Sequence, residues 1–385
     1  MTAMKVLVAH NAYQQRGGED SVVDAELAML RQHGVQIRLY HRHNDELDDM
    51  GRLAAVGAAF WSRQTRDEVD SILAEFQPDV VHVHNTFPLV SPSIYWAAAG
   101  RNIPVVQTLH NFRLLCPQAV FLRDGKVCER CLGKFPLPGI VNGCYRQSKA
   151  QTAVIGMMLG ANRFIGSYSK KVTRYIALNE FSRRKFIEGG LPADKITIKP
   201  NFIDIAAPQT LSREGFLFVG RLSEEKGIAV LAKAYSGELH GALRVAGSGP
   251  ESHWLNGLDG LAALGQQSTL QVRALMANSM ALVLPSICYE QFPMTLVEAY
   301  ASGLPVIASR LGPMQELVDD GVTGLLFDPG NSVDLAKKMS WAKDNPEKML
   351  EMGRNARMRY EMLYTPAKNY EQLMNIYEEA IQACR

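Results

Sequence analysis

The sequence predicts an α/β protein with two doubly wound, mostly parallel sheets, each belonging to a Rossmann-like domain. The first observation is a regular alternation of short apolar segments, typical of buried strands, with longer segments of helical periodicity. The second is that this alternation ends near residue 200 and then begins again. The third is the length of 385 residues, which is enough for two domains. We therefore expect a short linker at 200–213 and a cleft between the domains.

The first half contains six predicted buried strands, each followed by a polar loop. The strands cover 5–9, 35–39, 79–84, 104–109, 175–178 and 195–198. After the first strand, Val22, Val23, Leu27 and Leu30 mark the apolar face of a helix. Because the carboxyl ends of parallel strands meet at one edge of a sheet, the loops after these strands are expected to form a ligand site.

The second half repeats the pattern, and the chain then ends in helices. Its strands are predicted at 216–219, 243–246, 281–284, 306–308 and 324–327. The tail is helical from about Ser332, and a long last helix runs from about 366 to 383. We expect domains at 1–204 and 205–365, with 366–385 packing back on the first domain.

Composition and charge exclude several classes of protein. The net charge of +2 gives no argument for nucleic-acid binding. The N-terminus has no signal-peptide pattern, and no run of eighteen apolar residues indicates a spanning helix. We expect a cytoplasmic protein. Two apolar stretches with basic residues, 51–66 and 148–175, fit peripheral contact with the cytoplasmic face of a membrane or ordinary core helices.

The stretch from Cys288 to Gly303 is predicted to be a loop and a helix between two buried strands. Pro293 suits the first turn of that helix and Gly303 suits its end. Glu290 then lies in the loop before the helix, and Glu298 lies about one and a half turns inside it. The free N–H groups of residues 291–294 could hold hydroxyl or phosphate oxygens. The alternative is a helix-capping acid at Glu290 and a surface carboxylate at Glu298.

A second stretch, Gly220 to Gly227, follows a strand and opens a helix. Arg221 and Lys226 flank the N-terminus of this helix, where cations and the helix dipole together suit a diphosphate. Solvated side chains in a loop are the alternative. The later turn Gly247-Ser248-Gly249 does not complete a dinucleotide fingerprint, which argues against an NAD-dependent dehydrogenase.

These motifs occur in a characteristic order, and the resemblance rests on that order. Gly220-Arg221-Leu222 and Lys226-Gly227 are followed by Gly247-Ser248-Gly249-Pro250, by Glu290 with Glu298, and by 303–308. The N-terminal half adds Gly17-Gly18-Glu19, 81–85, 108–110 and 200–204. The series closely resembles the retaining nucleotide-sugar glycosyltransferases of sequence family 4, which have the GT-B fold. It covers nearly the whole chain.

The resemblance implies a role for each matching position. Arg221 and Lys226 would bind the donor diphosphate, Glu290 the hydroxyls of the donor sugar, and Glu298 the ribose. His110 would lie beside the transferred sugar. The implied sets are catalytic His110 and Glu290; donor-binding Arg221, Lys226, Gly249, Glu290, Gln291, Phe292, Pro293, Met294, Thr295 and Glu298; and acceptor-binding Gly17, Gly18, Glu19, His84 and Asn85.

The implied function is retaining transfer of a sugar from a nucleotide-diphosphate sugar to a glycan or a polyprenyl- or lipid-linked acceptor. The expected setting is the assembly of cell-surface polysaccharide or lipopolysaccharide. No Asp-x-Asp pair follows a strand, so we expect cations and helix N-termini to stabilise the leaving group without a metal or other cofactor. The alternatives are a nucleotide-sugar epimerase on the same fold and a non-catalytic module that binds nucleotide sugars.

A cysteine-containing insertion at about 112–150 departs from the pattern. Cys116, Cys128, Cys131 and Cys144 have the ligand count of a structural zinc site. Four unligated thiols or a redox disulfide fit the same spacing. The segment between Gly249 and a predicted turn at 264–265 is short, so the wall around the donor base is expected to be trimmed.

Overall fold

A computed structural model describes residues 3–206, 213–235 and 243–385. Contacts divide the chain into two compact units. The first unit contains Met1–Ala119, Glu129–Asn201 and Pro366–Arg385, and the second contains Val120–Cys128 and Phe202–Thr365. The predicted linker at 200–213 lies partly outside the described residues. The last twenty residues thus belong to the same unit as the N-terminal sheet.

The first unit is built on a six-stranded sheet in which every pair of neighbours is parallel. Its strands, numbered in chain order, are β1 Lys5–Ala12, β2 Gln36–His43, β3 Val80–Val83, β4 Val105–Thr108, β7 Arg174–Ala177 and β8 Ile196–Ile198. The order across the sheet is β2-β1-β3-β4-β7-β8. A small antiparallel hairpin, β5 Leu122–Arg123 with β6 Lys126–Val127, was not predicted and lies in the segment Val120–Cys128, which belongs to the second unit.

Helices cover this sheet. They are α1 Gly18–Gln32, α2 Arg52–Phe60, α3 Arg63–Phe76, α4 Ser93–Gly100, α5 Leu137–Asn142, α6 Lys149–Phe164, α7 Ser167–Lys170, α8 Glu180–Glu188 and α15 Pro366–Cys384. The start of α1 is fixed by Asp20, whose carboxylate accepts the backbone N–H of Gly17 at 2.7 Å. The last helix is held by stacking of Tyr370 on His33, with ring centroids 3.8 Å apart.

The second unit repeats this architecture. Its parallel sheet contains β9 Phe216–Val219, β10 Leu243–Ala246, β11 Leu261–Gly265, β12 Ala281–Leu284, β13 Val306–Ser309 and β14 Gly324–Phe327, in the order β11-β10-β9-β12-β13-β14. The helices are α9 Ile228–Tyr235, α10 Thr269–Ala277, α11 Met294–Ala301, α12 Met314–Leu317, α13 Ser332–Asp344 and α14 Pro346–Leu363. One buried cluster, including Phe216, Phe218, Leu231 and Met339, joins sheet and helices.

The predicted fold of two Rossmann-like sheets is confirmed, but one local prediction is wrong. Residues 264–265 do not form a turn, because they end β11, the edge strand paired with β10. This strand is mostly exposed and has no apolar alternation, so the sequence carried no strand signal there. Between Gly249 and β11 the chain forms a short 3₁₀ helix, Pro250–Leu255.

The two apolar, basic stretches form helices with one buried face. In α6, Ile155, Met158 and Leu159 are buried, whereas Phe164 at its end is 91% exposed. In α2, Leu53 is 89% exposed and Ala59 is buried. Among the residues described, none of the helices is both long and apolar enough to cross a membrane.

Candidate active site

Both sheets place their candidate residues where the strand order reverses. In the first sheet this point lies between β1 and β3, and in the second between β9 and β12. Loops that leave such neighbouring strands at the carboxyl edge run in opposite directions and open a crevice, which is where open α/β sheets bind ligands. Most of the motifs predicted from sequence follow these four strands, whereas His110 follows β4 and Gly249 follows β10, the neighbours of β3 and β9.

In the second unit, the loops after β9 and β12 bring Lys226 and Glu290 together. The Lys226 ammonium lies 2.7 Å from Glu290 Oε2, and Ser286 donates its hydroxyl to Glu290 Oε1. Burial disfavours the charged form of Lys226 and so lowers its pKa. The charge and the hydrogen bond of Glu290 together have the larger effect, so the pKa of Lys226 is raised above its ordinary value. The structure therefore contains a formed ion pair at the predicted diphosphate and sugar positions.

Gly227 allows this close approach of the two loops. Its φ is +71°, in the left-handed region, and a Cβ added to it would lie 1.9 Å from the carbonyl oxygen of Pro285. A side chain at this position would separate the loops after β9 and β12. The glycine therefore determines how near Lys226 comes to Glu290.

The loop after β12 leads into α11 as predicted, with one correction. Pro293 is the residue before the helix and Met294 is its first residue. Since proline has no N–H, only Gln291, Phe292 and Met294 of the predicted group can donate from the backbone. The Phe292 side chain is buried edge-to-face against Tyr364, with centroids 5.8 Å apart, so it has a packing role.

The remaining donor-site candidates surround this pair. Glu298 and Thr295 are partly buried in α11. Burial raises the pKa of Glu298 to about 7, and the charge of Arg273 partly opposes the shift. Arg221 is exposed directly after β9. Gly249 follows β10, and a Cβ there would lie 2.3 Å from the carbonyl oxygen of Leu222, so these backbones also approach closely.

In the first unit, a chain of buried polar groups ends at His110. His110 Nε2 and His84 Nδ1 are 2.9 Å apart, and the two rings stack with centroids 5.2 Å apart. His84 Nε2 lies 3.2 Å from Glu26 Oε1. Burial and the neighbouring His84 lower the pKa of His110 well below its ordinary value, and burial and His82 lower that of His84 to about 4. Both imidazoles are therefore neutral at pH 7.

Glu26 is the centre of this group. Its other oxygen, Oε2, lies 3.1 Å from the ammonium of Lys199, and Oε1 lies 3.1 Å from Nδ1 of His82. Burial opposes ionisation of Glu26, yet Lys199, His82 and His84 lower its pKa well below the ordinary value. Lys199 also donates to Asn369 of α15 at 3.0 Å, so the last helix takes part in the network.

The loop after β1 carries the predicted glycine pair and a carboxyl group of unusual pKa. Gly17 precedes α1, which begins at Gly18. Glu19, in the first turn, accepts from the Tyr13 hydroxyl at 3.0 Å. Burial raises the pKa of Glu19 to about 8, against the opposing hydrogen bond from Tyr13. This carboxyl group is therefore mostly protonated at neutral pH.

Asn85 ties the loop after β3 to the end of strand β1. Its amide donates to the carbonyl of Asn11 at 2.9 Å, and its side-chain oxygen accepts from the N–H of Phe87 at 2.9 Å. Both ends of the side chain are thus used within the fold. Its arrangement fits a role in shaping the loops.

Sequence reasoning missed several groups in this region. Glu26 and Lys199 were not predicted, nor was the buried pair of His10 Nε2 and Asp20 Oδ1 at 2.8 Å. The available signal was Glu26 itself, a carboxylate between Val22 and Leu30 on the apolar face of a predicted helix. A charge in that position requires a buried partner.

None of the four insertion cysteines is in a disulfide bond within the described residues. Within the described part of the chain, only Glu26, His82 and His84 bring three potential metal-ligand atoms within 4.8 Å of one another. The described geometry thus does not cluster the four sulfur atoms as preformed zinc ligands. Zinc binding by these cysteines remains a prediction that metal analysis would test.

Two family models match the chain, one after the other. Residues 16–207 match Glycosyltransferase Family 4, and residues 206–359 match Glycosyl transferases group 1. The boundary between the two matches lies close to the change of unit seen in the structure.

Individual proteins show the same relationship. D-rhamnosyltransferase WbpZ of Pseudomonas aeruginosa is 33% identical over 158 residues, which is 39% of this chain and 41% of that protein. A phosphatidyl-myo-inositol mannosyltransferase of Mycobacterium leprae is 29% identical over 76% of this chain and 85% of its own length. The Anabaena Alr3699/HepE structure in complex with UDP and glucose covers 97% of this chain and 98% of its own, with a TM-score of 0.67 and 19% identity. That structural similarity supports the fold.

Proposed function

The chain belongs to the GT-B glycosyltransferases that join a family 4 domain to a group 1 domain, and on that basis we propose that it transfers a sugar with retention of configuration. The donor in this proposal is a nucleoside-diphosphate sugar. The acceptor is a glycan or a lipid-linked glycan, and the setting is the assembly of cell-surface polysaccharide or lipopolysaccharide. The rhamnosyl and mannosyl transfer named for the two relatives supports the general class of reaction.

The observation that carries the proposal is the ion pair of Lys226 and Glu290 at the reversal point of the second sheet. A diphosphate needs a fixed cation, and sugar hydroxyls need a fixed acceptor. The two groups lie side by side, as they must if both ends of one donor are to be held. UDP and glucose in HepE show that a protein of this fold accommodates such a donor.

Each group has a defined part in the proposed reaction. Cleavage of the bond between sugar and diphosphate leaves negative charge on the diphosphate, which Lys226 and Arg221 would stabilise without a metal ion. Both oxygens of Glu290 already accept from Ser286 or Lys226, which suits a binding group better than a nucleophile. The leaving phosphate would accept the proton of the acceptor hydroxyl on the same face of the sugar.

His110 would act as a neutral hydrogen-bonding group. The negative charge of Glu26, 3.2 Å from His84 Nε2, favours the tautomer of His84 with its proton on Nε2, so that His84 Nδ1 accepts from His110 Nε2–H. His110 Nδ1 then carries the lone pair and can accept a hydrogen bond from a sugar hydroxyl. Glu26 would thus set the tautomer of His110 through His84.

A donor screen followed by product analysis tests this function. Nucleoside-diphosphate sugars are first ranked by thermal stabilisation of the full chain, because a ligand that binds the folded state raises its melting temperature. The best donor is then incubated with candidate acceptors, and NMR reports the anomeric configuration of any product. An α-linked product from an α-linked donor supports retention, whereas an epimerised donor without acceptor would replace the proposal by epimerisation.

A further inference from the structure

A cavity of about 250 Å³ lies in the first unit at the carboxyl edge of its sheet. Loops that follow β1, β2, β3 and β4 contribute Tyr13, Asn44, Phe87 and Arg113 to its wall. The cavity is therefore in the part of the sheet where ligands bind, and it adjoins the loop that holds Glu19.

Two helices give this cavity an apolar lining. α2 contributes Ala55, Val56 and Ala59, and α6 contributes Val154, Ile155 and Met158. An acceptor whose hydroxyl groups pointed at these side chains would lose hydrogen bonds to water without replacement. This side of the cavity suits a hydrocarbon chain.

Another part of the lining is cationic and aromatic. The Arg113 guanidinium lies 4.9 Å from the Phe87 ring centroid and 5.1 Å from that of Tyr145, and Arg146 lies 5.4 Å from the Tyr145 centroid. Arg113 also donates to the carbonyl of Pro117. In the described chain, no carboxylate is recorded within 4.0 Å of either guanidinium. Arg113 acts on the Glu19 carboxyl group only at longer range, so both guanidinium groups keep N–H donors for a phosphate, which accepts paired hydrogen bonds from guanidinium.

The cationic wall comes from the cysteine-containing insertion. Arg113 lies at its start and Tyr145 with Arg146 near its end, whereas α2 and the strand-end loops belong to the rest of the sheet domain. The insertion thus adds two positive charges to a cavity that is otherwise lined largely by apolar side chains.

We propose that this cavity binds the phosphate and the adjoining hydrocarbon of an amphiphilic acceptor, a prenyl phosphate or diphosphate carrying the sugar to be extended. The phosphate lies against Arg113 and Arg146, and the first part of the hydrocarbon lies between α2 and α6. This assignment rests on the proposed glycosyltransfer and selects, from its two acceptor classes, the lipid-linked one.

Calorimetry on the full chain tests the assignment with farnesyl diphosphate, used below its critical micelle concentration. Inorganic diphosphate, farnesol and UDP are the comparison ligands. Farnesyl diphosphate should bind at least tenfold more tightly than inorganic diphosphate or farnesol, and excess UDP should not displace it. Affinity equal to that of inorganic diphosphate, or displacement by UDP, would overturn the assignment.

Two variants change different parts of the lining of the cavity. Arg146→Gln removes one charge, and Ala55→Phe fills the space beside α6. Each substitution should lower the affinity for farnesyl diphosphate at least tenfold. Arg31→Gln is the matched control, because Arg31 is exposed in the last turn of α1, at the end remote from the cavity, and should bind like wild type. Wild-type affinity in both cavity variants would contradict the proposal.

Binding of the donor separates this inference from the proposed function. UDP should stabilise the wild-type chain and both variants equally, which also shows that the variants are folded. If UDP binds but farnesyl diphosphate does not, the lipid assignment fails and glycosyltransfer stands. If no nucleotide sugar binds or reacts, glycosyltransfer fails, whatever the cavity binds.

Discussion

His110 shares a hydrogen bond with His84, with Nε2 and Nδ1 2.9 Å apart, and the far nitrogen of His84 lies 3.2 Å from Glu26. Lys199, on the other side of Glu26, is only 1% exposed and lies 3.1 Å from its carboxylate. A helix residue, two strand-end histidines and a lysine after β8 thus form one buried charge network. It connects the fold of the first unit to the predicted catalytic histidine.

Glu26→Gln should destabilise the chain strongly, because it leaves the Lys199 ammonium buried without a counter-charge. Removal of one partner of a buried pair costs about 3–5 kcal/mol. Chemical denaturation measures the free energy of unfolding. Glu75→Gln is the control: Glu75 pairs with Arg38 at 3.3 Å on the surface, and its loss should change stability by less than about 1 kcal/mol. Equal effects of the two substitutions would show that the network has no special energetic role.

Glu19 should make the free energy of unfolding of the wild-type chain decrease as pH rises from about 5 to 8. Its folded pKa of about 8 exceeds the ordinary 4.5, so the folded state retains a proton that the unfolded state has lost. Glu19→Gln should remove this part of the slope, as seen in melting temperatures measured across the range. Glu371→Gln is the control, because Glu371 lies in an exposed ion pair with Lys368. Its melting temperature should change with pH as that of the wild type does. An unchanged slope in Glu19→Gln would mean that this carboxyl group is ionised at neutral pH.

Nucleotide binding should strengthen as pH rises from 6 to 8 if Glu298 accepts hydrogen bonds from the ribose. Its pKa of about 7 means that the carboxylate, the better acceptor, becomes the main form over this interval. Calorimetric titration with UDP measures the change. Glu298→Gln should bind more weakly at pH 8 and lose the pH dependence. A flat wild-type profile would exclude an ionised Glu298 from the nucleotide contact.

Gly227→Ala should destabilise the second unit and abolish donor binding. The added Cβ meets the Pro285 carbonyl at 1.9 Å, which forces apart the loops that hold Lys226 and Glu290. Gly321→Ala is a matched control, since its φ is +78° but nothing lies within 4 Å of the added atom. The control should cost about 1 kcal/mol from backbone strain alone and bind donor normally. Similar behaviour of both variants would show that the close contact does not shape the site.

The sequence was sufficient to predict the fold and the position of the donor motifs after strands, because both depend on local signals. Buried strands with apolar runs, the glycines after them and Pro293 before α11 all act over a few residues. The edge strand β11 was missed because its exposed residues carry no periodicity. Glu26 and Lys199, 173 positions apart, meet only through folding, so no local pattern pointed to their pairing. The cavity between α2 and α6 depends on Arg113 and Arg146 approaching those helices, which spacing alone does not reveal.

Lys226 is proposed to hold the donor diphosphate and Glu290 to hold the donor sugar. Calorimetry with UDP and the matching UDP-sugar, or with the nucleotide found in the donor screen, separates these two roles. Lys226→Ala should lower the affinity for both the nucleotide and the nucleotide sugar at least tenfold. Glu290→Ala should bind the nucleotide at least as tightly as wild type, because Lys226 is released from its 2.7 Å ion pair, but should lose the added affinity of the sugar. Lys348→Ala and Glu351→Ala, which break an exposed pair on α14, should behave as wild type. Wild-type binding of both ligands by Lys226→Ala and Glu290→Ala would contradict the account.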